Sequence, residues 1–243
     1  MNCFLTGGYG LLGKHLIDLL GARDNDSVTY PDSKHFDIKN IPLPRFYFDR
    51  FDLIVHAAAY TDVVGAESNR KLCYATNVLG ARNLASLGIP MLYISTEYVF
   101  DGEKGNYAET DYPNPQNFYS LTKLLGEYEA RRTRSVVIRC LFKPRPFQHE
   151  FACVDQFTSG GYVDEIAKEI ALAVKHFSEL PPLVHIGFGK KSTYDLAIKT
   201  RDVKPCSIYD IKGVKLPADT SLNTGVWENL KKGFEDGNPV CES

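Results

Sequence analysis

The chain has 243 residues, 44% of them hydrophobic and 24% charged, and its formal net charge is -2. This is the composition of a folded globular protein, and it excludes a strongly basic nucleic-acid binder or a polybasic membrane-surface protein. No apolar run reaches the roughly 18 residues of a membrane span. The six cysteines (Cys3, Cys73, Cys140, Cys153, Cys206, Cys241) form no CxxC pair and no zinc-ligand spacing. Reduced thiols, no metal and a cytoplasmic setting are therefore expected.

The opening MNCFLTGGYG lacks the charged-then-apolar layout of a secretory signal. It reads as a strand, NCFLT, entering a glycine turn. Leu11, Leu12, His15, Leu16, Leu19 and Leu20 then follow helical spacing. FDLIVHAAA (51–59) is a continuous apolar run suited to a buried parallel strand, and a helix is expected over 71–87. PMLYIST (90–96) reads as a strand, 118–131 as a helix and SVVIRCLF (135–142) as a strand. Such alternation predicts an α/β fold of Rossmann type, a doubly wound parallel sheet with helices on both faces.

After residue 142 the pattern changes. KPRPFQHEF is a proline-broken loop, and Val163, Ile166, Ala167, Ile170, Ala171 and Val174 make a helical stripe. A strand over 183–188, a short helix over 193–200 and a loop-rich tail from Asp202 complete the reading. The expected division is a dinucleotide-binding region over 1–142 and a small, dependent substrate lobe over 143–243.

Between the first strand and its helix lies Thr6-Gly7-x-x-Gly10-x-x-Gly13. Gly7 permits the tight exit from the strand, Gly10 lets backbone approach a pyrophosphate, and Gly13 allows close helix-on-sheet packing. The helix N-terminus then offers free N–H groups to phosphate. In SVTYPDSKHFDI (27–38), Asp32 suits ribose hydroxyls and hence NADH, whereas Lys34 or His35 suits a 2′-phosphate and hence NADPH. Asp37 is a candidate for the adenine amino group or, equally, a turn residue.

Tyr119 and Lys123 stand four apart on a helix and share a face. A nearby ammonium is expected to lower the phenol pKa from its usual value near 10. Thr96 ends the strand LYIST, and ligands of such sheets bind beyond the carboxyl ends of the strands. Its hydroxyl is placed to meet the same carbonyl oxygen as Tyr119.

Glycine turn, strand-terminal hydroxyl and YxxxK occur in the order of the extended short-chain dehydrogenases/reductases, which the chain resembles. HAAAYTDVVGAES (56–68), TNVLGARNLA (76–85), ISTEYVFDG (94–102), NYAETDYPNPQNFYSLTKLLGE (106–127) and LPADTSLNT (216–224) are similar to the dTDP-4-dehydrorhamnose reductases. The resemblance covers Met1 to Arg139 well and is patchy beyond. It implies reduction of the 4-keto group of a nucleotide-linked 6-deoxysugar by NADPH or NADH. It implies a pyrophosphate site at Gly10, Leu11 and Leu12, and a cofactor-ribose site beside Ala57, Ala58 and Ala59. Tyr119 would be the proton donor, Lys123 would hold the nicotinamide ribose and tune Tyr119, and Thr96 would hold the substrate carbonyl. Glu97 replaces the family's usual aspartate at the sugar, and Phe142 falls near its sugar-stacking tryptophan. Asn77 matches a helix asparagine.

The chain also departs from that pattern. Only KPRPFQHEFACV separates Phe142 from DQFTSGGYV (155–163), so the substrate-side helix is expected to be short or missing. Lys215-Leu216-Pro217 lacks the usual arginine, for which Lys143 and Arg145 are candidate replacements. Two further readings stay open. One is a non-catalytic cofactor-binding subunit, resembling the regulatory β subunit of methionine adenosyltransferase. The other is an epimerase-reductase using Cys140, Cys153 or His149. A nucleotide sugar is the expected partner, with no nucleic acid and no membrane; a homodimer or a partner subunit is left open.

Overall fold

The structure is a computed structural model that describes residues 1–21 and 27–236; Cys241 lies outside them. In chain order the main elements are β1 (Asn2–Thr6), α1 (Leu11–Gly21), β2 (Ser27–Thr29), β3 (Leu53–His56), α2 (Gly65–Ser68), α3 (Arg70–Tyr74), α4 (Gly80–Ala85), β4 (Met91–Thr96), α5 (Phe118–Ala130) and β5 (Ser135–Cys140). They continue with β6 (Phe142–Lys143), β7 (Phe151–Cys153), β8 (Phe157–Thr158), β9 (Gly161–Tyr162), α6 (Val163–Lys175), β10 (Leu183–His185), β11 (Lys191–Ser192), α7 (Thr193–Ala197), β12 (Lys204–Cys206) and α8 (Gly225–Asp236).

Six strands form one parallel sheet in the order β10-β5-β4-β3-β1-β2. Side chains alternate across it, as the two-residue period of a strand requires. Cys3, Leu5, Leu53, Val55, Leu92, Ile94, Val136 and Ile138 face α1, α6 and α8. Phe4, Ile54, Met91, Tyr93 and Val137 face the opposite way, toward Ala81 and Leu84 of α4. Both faces are covered, which is why these strands read as unbroken apolar runs. On the second face Phe36, Phe48 and Phe51 close around Phe4, at ring centroids 5.0 to 5.3 Å away. The long connection between β2 and β3 is thereby anchored.

The core does not stop at residue 142. β10 is the edge strand of the main sheet, paired with β5. α6 places Ile166, Ile170 and Val174 in the same cluster as Leu5 and Leu16. α8 falls in the tail read as loop. It is amphipathic with a narrow apolar side, and buries Trp227 and Leu230. The Trp227 indole N–H donates to Glu169 of α6 at 2.6 Å. The helix expected over 71–87 is three pieces, because a π-helical turn over Ala75–Leu79 joins α3 to α4. No helix lies between β6 and β7.

The chain leaves β1 toward β2 on one side and returns to β3 on the other. This reversal opens a crevice at the carboxyl ends of β1 and β3, the position where open α/β sheets bind ligands.

Candidate active site

The crevice begins at the glycine turn. Gly7 has φ +76°, a backbone conformation that disfavours any side chain. A methyl group there would stand 2.7 Å from the Ala58 nitrogen, so the turn lies directly on the Ala57–Ala58 backbone. A methyl at Gly13 would overlap the Gly7 carbonyl oxygen and stand 2.6 Å from Gly8 Cα. The Gly10 N–H closes the turn on Gly7 O at 2.9 Å. α1 starts at Leu11, and its first N–H groups precede the first intrahelical bond. Leu11 is exposed, whereas the Leu12 side chain belongs to the core; only the Leu12 backbone can meet a phosphate. This cradle of small residues at a free helix N-terminus fits a dinucleotide pyrophosphate. Ala57, Ala58 and Ala59 are half-exposed at the end of β3.

Beneath the turn, Thr6 Oγ1 and His56 Nδ1 are 2.8 Å apart, and Thr6 Oγ1 also accepts the Ala58 N–H at 3.4 Å. Burial lowers the His56 pKa to about 3, helped by the Lys123 charge, so this imidazole is neutral. No sequence pattern signals this bridge beyond a histidine at the end of an apolar run.

The second half of the site lies between β4 and α5. Thr96 ends β4 in extended conformation, and its Oγ1 accepts the Tyr98 N–H at 3.2 Å. α5 is fixed at its start by Asn117, whose side chain accepts the Ser120 N–H at 2.9 Å. Glu67 Oε1 also accepts the Phe118 N–H, at 2.7 Å. These caps orient the first turn, which carries Tyr119. The Tyr119 phenol lies within hydrogen-bonding reach of the Thr96 hydroxyl. One turn on, the Lys123 ammonium is buried, donates to Ile94 O at 2.7 Å and sits 4.3 Å from the Tyr93 ring centroid.

The phenol pKa moves opposite to the expected direction. Burial raises it above the usual value and the Thr96 hydroxyl opposes that only in part. Lys123 shares the helix face, but its ammonium is held on the β4 backbone rather than on the phenol. Burial in turn lowers the Lys123 pKa to about 8, against the raising effect of Glu127.

Glu97 is fully buried rather than open to a sugar: Thr220 Oγ1 donates to its Oε1 at 2.8 Å and Oε2 is unpartnered. Burial raises its pKa to about 7, with Thr158, Thr220 and the Lys143 charge opposing. Phe142 is half-buried in β6 and packs against the α1–α6 core. Asn77, on the π turn, bonds both backbone groups of Tyr60 and donates to Thr122 Oγ1 at 2.9 Å. It ties α5 to the segment after β3.

Asp37 closes a turn by accepting the Lys39 N–H, and Asp32 does the same for Lys34. Tyr30, not an acid, directly follows β2. The Arg145 charge is neutralised by Asp164 at 3.0 Å and Glu165 at 2.9 Å. Burial pushes the Cys140 thiol up to about 12 and lowers the His149 pKa. Among the described residues no group of acidic, histidine or cysteine side chains could hold a metal ion, and no helix is long and apolar enough to cross a membrane.

Residues 1–142 match the family model described as the RmlD substrate binding domain. This chain belongs to that family. Over 132 residues it is 38% identical to the dTDP-4-dehydrorhamnose reductase of Mycobacterium tuberculosis, a match covering 51% of this chain and 43% of that relative. The chain thus spans less than half the length of that curated relative. Similarity of fold runs further. A dTDP-4-dehydrorhamnose reductase structure from Clostridium acetobutylicum matches with a TM-score of 0.83 at 25% identity, over 100% of this chain and 95% of that one. The Bacillus anthracis dTDP-4-dehydrorhamnose reductase, solved in complex with NADP, gives 0.79 at 26% identity, over 97% and 98%.

Proposed function

We propose that the chain is an NADPH-dependent reductase of the 4-keto group of a nucleotide-linked 6-deoxysugar. The observation that carries this reading is the convergence of Thr96 and Tyr119 at the carboxyl end of β4, with Lys123 one helical turn deeper. The glycine cradle supports the cofactor half. Gly7, Gly10 and Gly13, with the backbone of Leu11 and Leu12, hold the pyrophosphate. Ala57, Ala58 and Ala59 leave room for the ribose. Lys34 is exposed, with no ion pair to its ammonium among the described residues, and Tyr30 occupies the place after β2; both favour a 2′-phosphate over free ribose hydroxyls.

The nicotinamide supplies hydride to the C4 carbonyl carbon when bound. Tyr119, kept protonated by burial, donates its proton to the oxygen as negative charge develops there. An alkoxide is a stronger base than a phenolate, so a raised phenol pKa does not block the transfer. Thr96 positions the same oxygen by hydrogen bonding. Lys123 brings positive charge to the site and stabilises the developing oxyanion. Glu97 acts through its hydrogen bond from Thr220, and Phe142 shapes the wall.

The test is oxidation of NADPH and NADH with dTDP-4-keto-L-rhamnose and its UDP counterpart, with Tyr119→Phe as control. The reading expects turnover with NADPH and a loss of about 10²–10⁴-fold in the variant. Tight NADPH binding with no turnover on either sugar would overturn it.

A further inference from the structure

Two cysteines outside the site face each other. β7 ends in Cys153 and β12 in Cys206; these strands pair in parallel, apart from the main sheet, with Cys153 directly opposite Cys206. Their sulfurs are 3.5 Å apart. Neighbouring strands lie about 4.8 Å apart, within the Cα separation of about 4.4–6.8 Å that a disulfide spans. The chain is pinned just beyond both residues: Val154 N–H donates to Cys206 O at 2.9 Å, and Ile208 N–H donates to Asp155 at 2.8 Å. Ser207 donates its hydroxyl to Asp155 as well. This ladder holds the two cysteine residues in register.

Access to them is unequal. Cys153 is buried, as are Cys3, Cys73 and Cys140, whereas Cys206 is partly exposed. A soluble oxidant therefore meets Cys206 first. Burial and the neighbouring thiol push Cys153 up to about 12. Capping Cys206 removes only the second of these causes, but it places an electrophilic sulfur where the Cys206 thiol stood, directly opposite Cys153.

We propose that Cys153 and Cys206 are a thiol modification site that closes to an intramolecular disulfide by exchange with a low-molecular-weight disulfide. The Cys206 thiolate attacks one sulfur of that oxidant, breaks its S–S bond and releases one small thiol. The Cys153 thiolate then attacks Cys206 Sγ in the mixed disulfide and displaces the second small thiol. Two protein thiols are oxidised, the oxidant is reduced to two thiols, and the protons from both cysteines end on those products. The bond joins residues 53 positions apart. It clamps β12 to the strand leading into Gln156, whose side chain donates to Tyr98 OH at 3.0 Å beside the candidate site. The proposal does not depend on the reductase reading.

The test is treatment of the native full chain with oxidised glutathione, followed by thiol titration and peptide mapping without reduction. The expected result is loss of two thiols, a Cys153–Cys206 cross-linked peptide, and full reversal by dithiothreitol. Cys153→Ser is expected to stop at a glutathione adduct on Cys206, and Cys206→Ser to leave Cys153 unmodified. A stable adduct on Cys206 in the unmutated chain, a cross-link through any other cysteine including Cys241, or unchanged thiols would each overturn the proposal. The unmutated chain decides the question even if a serine variant misfolds.

Discussion

Glu127 and Arg139 form a bidentate ion pair in the interior, with N···O distances of 3.0 and 2.8 Å and side-chain exposures of 2% and 3%. Glu127 lies one helical turn after Lys123 on α5, and Ser95, next to Thr96 on β4, donates to the same carboxylate. The pair ties α5 to β5, and the Ser95 bond to the same carboxylate ties α5 to β4, the two elements that carry the candidate catalytic groups. Breaking a buried pair strands the remaining charge, at a cost of about 3–5 kcal/mol. Arg139→Met and Glu127→Gln are each expected to lose stability on that scale, measured by urea unfolding. The double variant should recover part of the loss, since neither member of the pair is then left charged without the other. Additive losses would show that the pair is not coupled.

Lys123 connects this pair to activity. Burial sets its pKa near 8 while Glu127 raises it. The ammonium is present at neutral pH and is lost as pH rises through that value. The kcat/KM for NADPH should therefore fall along a one-proton limb centred near pH 8. Glu127→Gln removes the supporting negative charge, so the limb should move to lower pH. A limb that stays in place would mean that another group titrates there.

The parallel sheet was legible because each central strand is buried on both faces and reads as a continuous apolar run. Thr96, Tyr119 and Lys123 were legible because strand-end position and helical spacing are local patterns. Arg139 and Glu127 offered a weaker signal, a charge inside an apolar strand and an acid four residues after Lys123. The Tyr119 pKa direction was not legible: it is set by burial of the phenol in the folded chain, and the Lys123 ammonium is held on Ile94 O of β4 rather than on the phenol. The burial of Glu97 was hidden for the same reason, since Thr220 is 123 residues away. α8 was missed because only Trp227 and Leu230 of its twelve residues are buried. The Cys153–Cys206 register depends on strand pairing that no local spacing encodes.

The glycine cradle can be tested at two positions of one helix. Gly13→Ala would press a methyl against the backbone of Gly7 and Gly8, atoms that cannot rotate away. Overpacking of this kind costs about 1–3 kcal/mol, and NADPH binding should weaken with it because the same turn holds the pyrophosphate. At Gly21, the last residue of α1, a methyl meets nothing within 4 Å among the described residues. Gly21→Ala should be neutral or stabilising by up to about 1 kcal/mol. Thermal melts and NADPH titrations of both variants check this; equal effects would show that Gly13 is no closer to the turn than Gly21.

Glu97 gives the fold a pH dependence of its own. Its carboxyl titrates near 7 in the native state against 4.5 as the ordinary value. Below about pH 4.5 both folded and unfolded chains keep the proton, and Glu97 adds no pH dependence. Between these values the unfolded chain releases it and the native chain retains it, so stability falls as pH rises; above about 7 the loss is complete. The full loss is on the order of 3 kcal/mol, with the opposing attraction of Lys143 already contained in the shift. Glu97→Gln keeps an acceptor for the Thr220 hydroxyl and carries no charge. Urea unfolding at a series of pH values should show the variant gaining on the parent between pH 4.5 and 7, with a constant difference above. Parallel curves would show that Lys143 and the surrounding hydroxyls fully compensate the buried carboxylate.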